Sequence, residues 1–425
     1  MSEHLTRWSP VTKVTKKVKI DDLEISFKRT IRVPDNYDTN YLPPDAGSFP
    51  LYKVDDYAET LPLRMAQKGG LFIPMYQREA MWINFKSKCF YAIKVFVGGI
   101  NAVSGEPSVE DAGTSLRRRN LIHQGKSVQD YIVTPDQRWL DGVAVEPGKI
   151  RQFVAMPVGT GHSIEAQMTG AEKAGGVQFE ITRLDSKPPE GDIITIDIVT
   201  GGGKVHRVTT SRQETVEQLM RRIELVEKLT LDEMRLIYAG KHLEVFRTLA
   251  DYQIEDNSRV QLLKRLRGGG GPGPTELEMY IAAGGLIKQG IEGLRQNDWK
   301  KSVPVTFNVQ VLNSAGFEQV TGKKPPRSPI TAKSYADCGY PFYSIYEEPT
   351  TISGAFDGLR SVAQIDQTSE DSLPADMPVM DVDTRQVRPR VNIGAVGILN
   401  PQGSGQELEF EWEMKERLNR MRNLF

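Results

Sequence analysis

The sequence predicts an α+β protein, and three observations between Ile194 and Gly269 carry that prediction. Ile194, Ile196 and Ile198 alternate with Thr195, Asp197 and Val199, so one face of an extended run is apolar. Gly201–Gly203 supply a turn, and a second β-branched run follows from Val205 to Thr210, the order of a hairpin. Thr215 and Gln218 then have capping-box spacing, and Val216, Leu219, Met220, Ile223 and Val226 recur at helical spacing beyond them. Shorter apolar runs, Leu236–Tyr238, Leu243–Val245 and Val260–Leu263, complete the unit. A hairpin, one amphipathic helix and short strands close a core when the helix covers one face of a sheet.

The whole pattern from Ile194 to Gly269 resembles ubiquitin without a gap. It includes RLIYAGKHLE (Arg235–Glu244), Arg247-Thr248-Leu249, Asp251-Tyr252 with Ile254, and the closing Arg265-Leu266-Arg267-Gly268-Gly269. The resemblance implies a central β-grasp domain, flanked here by mixed α/β regions of unknown fold. It implies a partner-binding patch at Ile237, Gly240, Leu263 and Arg235. Leu263 replaces the family's valine, Gly201 stands where the family has leucine, and Gln261 where it has histidine. Loss of the leucine removes about 1.5–3 kcal/mol of burial available to a partner. Lys241 and Lys204 match two chain-linking lysines, whereas Asp256 occupies the other major linking position. Arg265 matches the arginine that activating enzymes read, and Arg265–Gly269 form a cleavage or conjugation tail. In the family's fold the first and last strands are parallel neighbours, so the chain enters and leaves at opposite ends.

Composition bounds the function. A chain of 425 residues is long enough for two or three domains. Its 54 basic and 55 acidic residues give a net charge of −1, so no global field favours nucleic acid or a membrane surface. Cys89 and Cys338 are too few and too far apart for a disulfide framework or a cysteine-rich metal site. The N-terminus has no apolar signal core, and Cys89–Val103, broken by Lys94, is too short to span a bilayer. A cytoplasmic or nuclear location is expected, with no cofactor and no metal.

In chain order, residues 1–22 read as a flexible basic tail and 23–185 as an N-terminal α+β domain. Strands are expected at Leu23–Val33, Tyr91–Val97, Tyr131–Pro135, Ile150–Val158 and Gln178–Leu184. Tyr76–Glu79 reads as a helix start and Arg117–Arg119 as part of an exposed loop. Gly159-Thr160-Gly161 precedes a short helix but has neither nucleotide-loop spacing, so it reads as a capping loop. His162 has no second ligand at metal spacing. Beyond the ubiquitin-like unit, 194–269, residues 270–274 form a Gly/Pro linker and 275–365 a C-terminal α+β region. A capping box at Thr275 and Glu278 predicts a helix through Met279–Ala282. Residues 366–390 read as an acidic, proline-containing linker, and 391–425 as a strand followed by a helix. Ile100–Pro107 and Phe317–Pro325 share a turn-like pattern, which reflects either two related halves or shared turn chemistry.

Three functions fit. The first is a non-catalytic interaction module for protein partners of the ubiquitin-receptor, proteasome or deubiquitinase type. The second is a fusion precursor cleaved after Gly269 and conjugated. The third is an enzyme of unknown chemistry in the flanks. No nucleophile elbow, phosphate loop or metal spacing supports a particular reaction.

Overall fold

Two strands that follow the ubiquitin-like stretch in sequence lie among strands that precede it. The computed structural model describes residues 15–185, 193–200, 203–211, 216, 219–220, 223, 234–243, 249, 252–264, 277–294, 299–301, 304–345, 349–368, 373, 377–382 and 408–422. The protein is α+β, with a large sheet, a separate five-stranded sheet and a two-stranded ribbon. The main path of the large sheet runs Val18–Ile20, Leu23–Thr30, Ala80–Lys86, Lys149–Pro157, Glu278–Lys288, Val305–Asn313, Val177–Asp185, Phe90–Val97, Ile100–Asn101. Residues 23–185 and 275–365, counted separately from sequence, therefore share one sheet and one core.

The strand Glu278–Lys288 overturns the helix predicted from Thr275 and Glu278. It pairs antiparallel with Lys149–Pro157, from Pro157 opposite Met279 to Lys149 opposite Lys288. Residues 278–285 are all buried, as a strand covered on both faces must be. Gly284 and Gly285 let the neighbouring chain approach. An added Cβ would lie 2.6 Å from Val154 Cγ2 at Gly284 and 2.3 Å from the Pro34 carbonyl oxygen at Gly285. Tertiary pairing outweighs the local capping signal.

Four other expectations also change. Arg117–Arg119 belong to the helix Ala112–His123, capped by the Asp111 side chain, which accepts a hydrogen bond from Thr114 N. Arg118 is buried there, with Glu106 at 2.6 Å, Glu110 at 2.7 Å and Asp130 at 3.1 Å. Buried Lys94 adds to the network, 3.5 Å from Asp130 and 3.7 Å from Glu180. Tyr76–Glu79 is a tight turn rather than a helix start: Arg78 has φ +64°, and the Glu79 carboxylate accepts from Tyr76 N and Arg29 Nε. Within 366–390, Val379–Val382 forms a strand parallel to Phe342–Ile345. At the C-terminus Leu408 and Phe410 are buried but, in place of the expected strand, residues 408–410 pair in none, and the helix Glu411–Arg422 follows.

The ubiquitin-like stretch has its own sheet, in the order Val205–Ser211, Ile193–Thr200, Arg259–Lys264, Met234–Tyr238, Lys241–His242. Its first and last strands are parallel, from Asp197 beside Arg259 to Thr200 beside Leu262. Ile194, Ile196 and Ile198 meet Val216, Leu219, Met220 and Ile223 of the helical stretch in a core separate from that of the large sheet. The chain leaves the large sheet where Asp185 pairs with Lys300 and re-enters where Glu278 pairs with Leu312. At about 3.3 Å per residue along Val177–Asp185 and, from Val309 opposite Val177, on to Leu312, these points lie roughly 35 Å apart.

Two outcomes follow. Replacing residues 186–277 by a flexible Gly/Ser linker of about 25 residues should leave a folded, cooperatively melting domain, whereas about four residues cannot span the gap; circular dichroism melts distinguish the two. Arg118→Ala strands buried carboxylates and should lower stability by about 3–5 kcal/mol in urea unfolding.

Candidate functional site

In the five-stranded sheet, burial of Ile198, Leu236, Val260 and Leu262 turns the alternate positions outward. The register then aligns Val205 with Val199, Val199 with Gln261, and Gln261 with Ile237, a single row across four strands. Leu263 lies one step along, opposite Arg235. Val205 is 52% exposed and Leu263 40%, while Val199 and Ile237 are half-buried. Arg235, Gln261, Lys204 and Arg207 are exposed around them. The result is an apolar strip, interrupted by one amide and edged by cations.

The proposed patch residues Ile237, Leu263 and Arg235 therefore share one face. Gly240 contributes differently. It forms the turn between Tyr238 and Lys241, which pair across it, with Ala239 at φ +48° and Gly240 at φ +74°. Both angles are those of a two-residue hairpin turn. Nothing lies within 4 Å of an added Cβ at Gly240, so the glycine answers to backbone conformation and not to crowding. Lys204 lies in the opposite hairpin loop, where its amide donates to Thr200 Oγ1 and Thr200 N donates to its carbonyl. Lys241 is placed by its pairing with Tyr238. Gly201 and the tail Arg265, Leu266, Arg267, Gly268 and Gly269 lie outside the described residues.

Val199 and Val205 were not singled out as patch residues from sequence. Their signal was present: Val199 belongs to the run opposite the three isoleucines, and the hairpin register sets Val205 beside it. Asp256 likewise has a structural part beyond replacing a lysine. Its carboxylate accepts from Thr195 N at 2.7 Å and Asn257 Nδ2 at 2.9 Å, closing the loop before the last strand. Arg207 Nε lies 3.1 Å from Asp197 Oδ1, and this hydrogen bond raises the guanidinium above its ordinary pKa.

Comparison with known proteins agrees with this geometry. The ubiquitin family model matches residues 194–267. Residues 194–267 form a ubiquitin-like domain. The E3 ubiquitin-protein ligase UPL5 of Arabidopsis thaliana is 35% identical over 83 residues, which are 19% of this chain and 10% of that protein. This chain thus spans about a tenth of that relative's length.

Around the ubiquitin-like domain, the large sheet carries a cavity of about 270 Å³ lined in part by Phe96, Glu165, Lys173, Gln178, Glu180 and Thr306. Glu165 accepts hydrogen bonds from the Lys173, Ala174 and Gly175 amides, so its carboxylate is committed to the adjoining loop. The Gly159–Gly161 loop is likewise occupied by the chain's own acid: Gly159 N and Ser163 Oγ both donate to Glu172. His162 Nε2 is 2.7 Å from Asp366, a hydrogen bond that holds the carboxyl below its ordinary pKa. Among the described residues no cluster of His, Cys, Asp or Glu could hold a metal ion, and no helix is long and apolar enough to cross a membrane.

The turn geometry gives a direct test. Gly240→Val should destabilise the ubiquitin-like domain by about 1–3 kcal/mol through backbone strain. Val205→Asp, at an exposed edge-strand site, should cost less than about 1 kcal/mol. Hydrogen exchange of the domain's core amides reads both.

Proposed function

We propose that the chain is a non-catalytic interaction protein of the ubiquitin system, whose ubiquitin-like domain presents its sheet face to a protein receptor without covalent transfer. The observation that carries this reading is the outward row Val205–Val199–Gln261–Ile237 with Leu263 beside it. Half-exposed apolar side chains on a rigid sheet supply burial to a partner at little ordering cost. Receptors of the ubiquitin-receptor, proteasome or deubiquitinase type are the partners this face suits, in the cytoplasm or nucleus.

The face departs from the family pattern at Gly201, Gln261 and Leu263. Gly201 offers no side chain, while Val205 on the edge strand and Val199 on the strand beside it bring apolar surface to that side of the sheet. A receptor fitted to this chain therefore presses nearer the Val205–Ser211 edge. Cleavage after Gly269 is a separate reading supported by the sequence Arg265–Gly269.

Binding of the full chain to immobilised ubiquitin receptors, including proteasomal ones, tests the proposal. Ile237→Asp and Val205→Asp should each weaken capture at least about tenfold, or roughly 1.4 kcal/mol. Gln253→Ala, in an exposed turn outside the row, should leave it unchanged. Equal binding by all three variants would rule out this face.

A further inference from the structure

We infer that the connection between Lys264 and Leu277 can be cut without dividing the molecule: the two pieces remain one particle. The inference rests on how the C-terminal piece enters the sheet. Glu278–Lys288 lies between Lys149–Pro157 of the first piece and Val305–Asn313 of its own. Val305–Asn313 in turn pairs with Val177–Ile181 and, in parallel, with Leu71–Met75, both from the first piece.

Met279, Tyr280, Ile281, Ile287, Phe307, Val309, Val311 and Leu312 are buried, most of them in the core shared with strands 71–97 and 149–181. Polar ties are as widely spread. Lys68 pairs with Glu278, Tyr76 Oη donates to the Pro326 carbonyl, His162 meets Asp366, and Arg417 meets Glu110. Such a boundary has the character of a domain core divided by one chain break, not of a transient interface.

A cut here therefore nicks the protein. If it falls after Gly269, the particle carries a ubiquitin-like domain with a free diglycine carboxylate and still holds the whole C-terminal piece. Any attachment through that carboxylate would deliver both pieces together. Only this position of the cut depends on the processing reading; the persistence of the particle does not.

The test is the full chain with a sequence-specific protease site substituted for residues 270–274, cut after folding. Denaturing electrophoresis should show complete conversion to two fragments. Native mass spectrometry and gel filtration should still show one particle near the 47.6 kDa of the intact chain, stable on dilution to about 10 nM. Separate fragments, or precipitation on cutting, would overturn the inference. Treating the unaltered chain with a broad deubiquitinase reads the processing step by itself: an uncut chain removes that step and leaves the two-piece particle standing.

Discussion

The structure depends on the pairing of Glu278–Lys288 with Lys149–Pro157. Without it, the first strand after the ubiquitin-like domain would lose its longest pairing, and the central path of the large sheet would be broken. The pairing is long-range in sequence, so its loop-closure entropy must be offset by burial along the whole strand. Small residues make that burial close: Ala282, Ala283, Gly284 and Gly285 bring backbones together where larger side chains would collide. An independently cored ubiquitin-like domain fills the intervening chain. Its own ends point in opposite directions because its first and last strands are parallel, and this suits attachment points that are also well separated.

That arrangement gives the ubiquitin-like domain a particular character. It is fixed at both ends to one sheet, so it acts as an insertion and not as a terminal tag. The Ala239–Gly240 hairpin turn and the loop closed by Asp256 hold the sheet face in register. Its outward face carries the row Val205, Val199, Gln261 and Ile237 with Leu263 beside it, so apolar surface reaches the edge strand.

The ubiquitin-like domain was legible because its signals are local. The Ile194–Ile198 alternation, the Val216–Ile223 spacing and the closing strand each fall within a few residues, and burial follows them. The flanks were less legible because their decisive contacts are remote. The capping signal at Glu278 lost to a partner strand far back in the chain. The three arginines at 117–119 looked exposed because nothing nearby in sequence reveals Glu106 and Asp130 closing on Arg118. Ile100–Pro107 and Phe317–Pro325 sound alike, yet the first opens with a two-residue strand and the second with the helix Phe317–Thr321. Their preceding strands do flank the same one, Val177–Asp185, on opposite sides.

The central claim, one domain assembled from both flanks around an independently folded insertion, is tested most directly by native-state hydrogen exchange resolved along the chain. The account predicts that the slowest amides of 149–157, 278–288 and 305–313 share one opening free energy and one denaturant dependence, while those of 193–264 follow a different one. Amides of 278–313 that opened independently of 149–185 would contradict it.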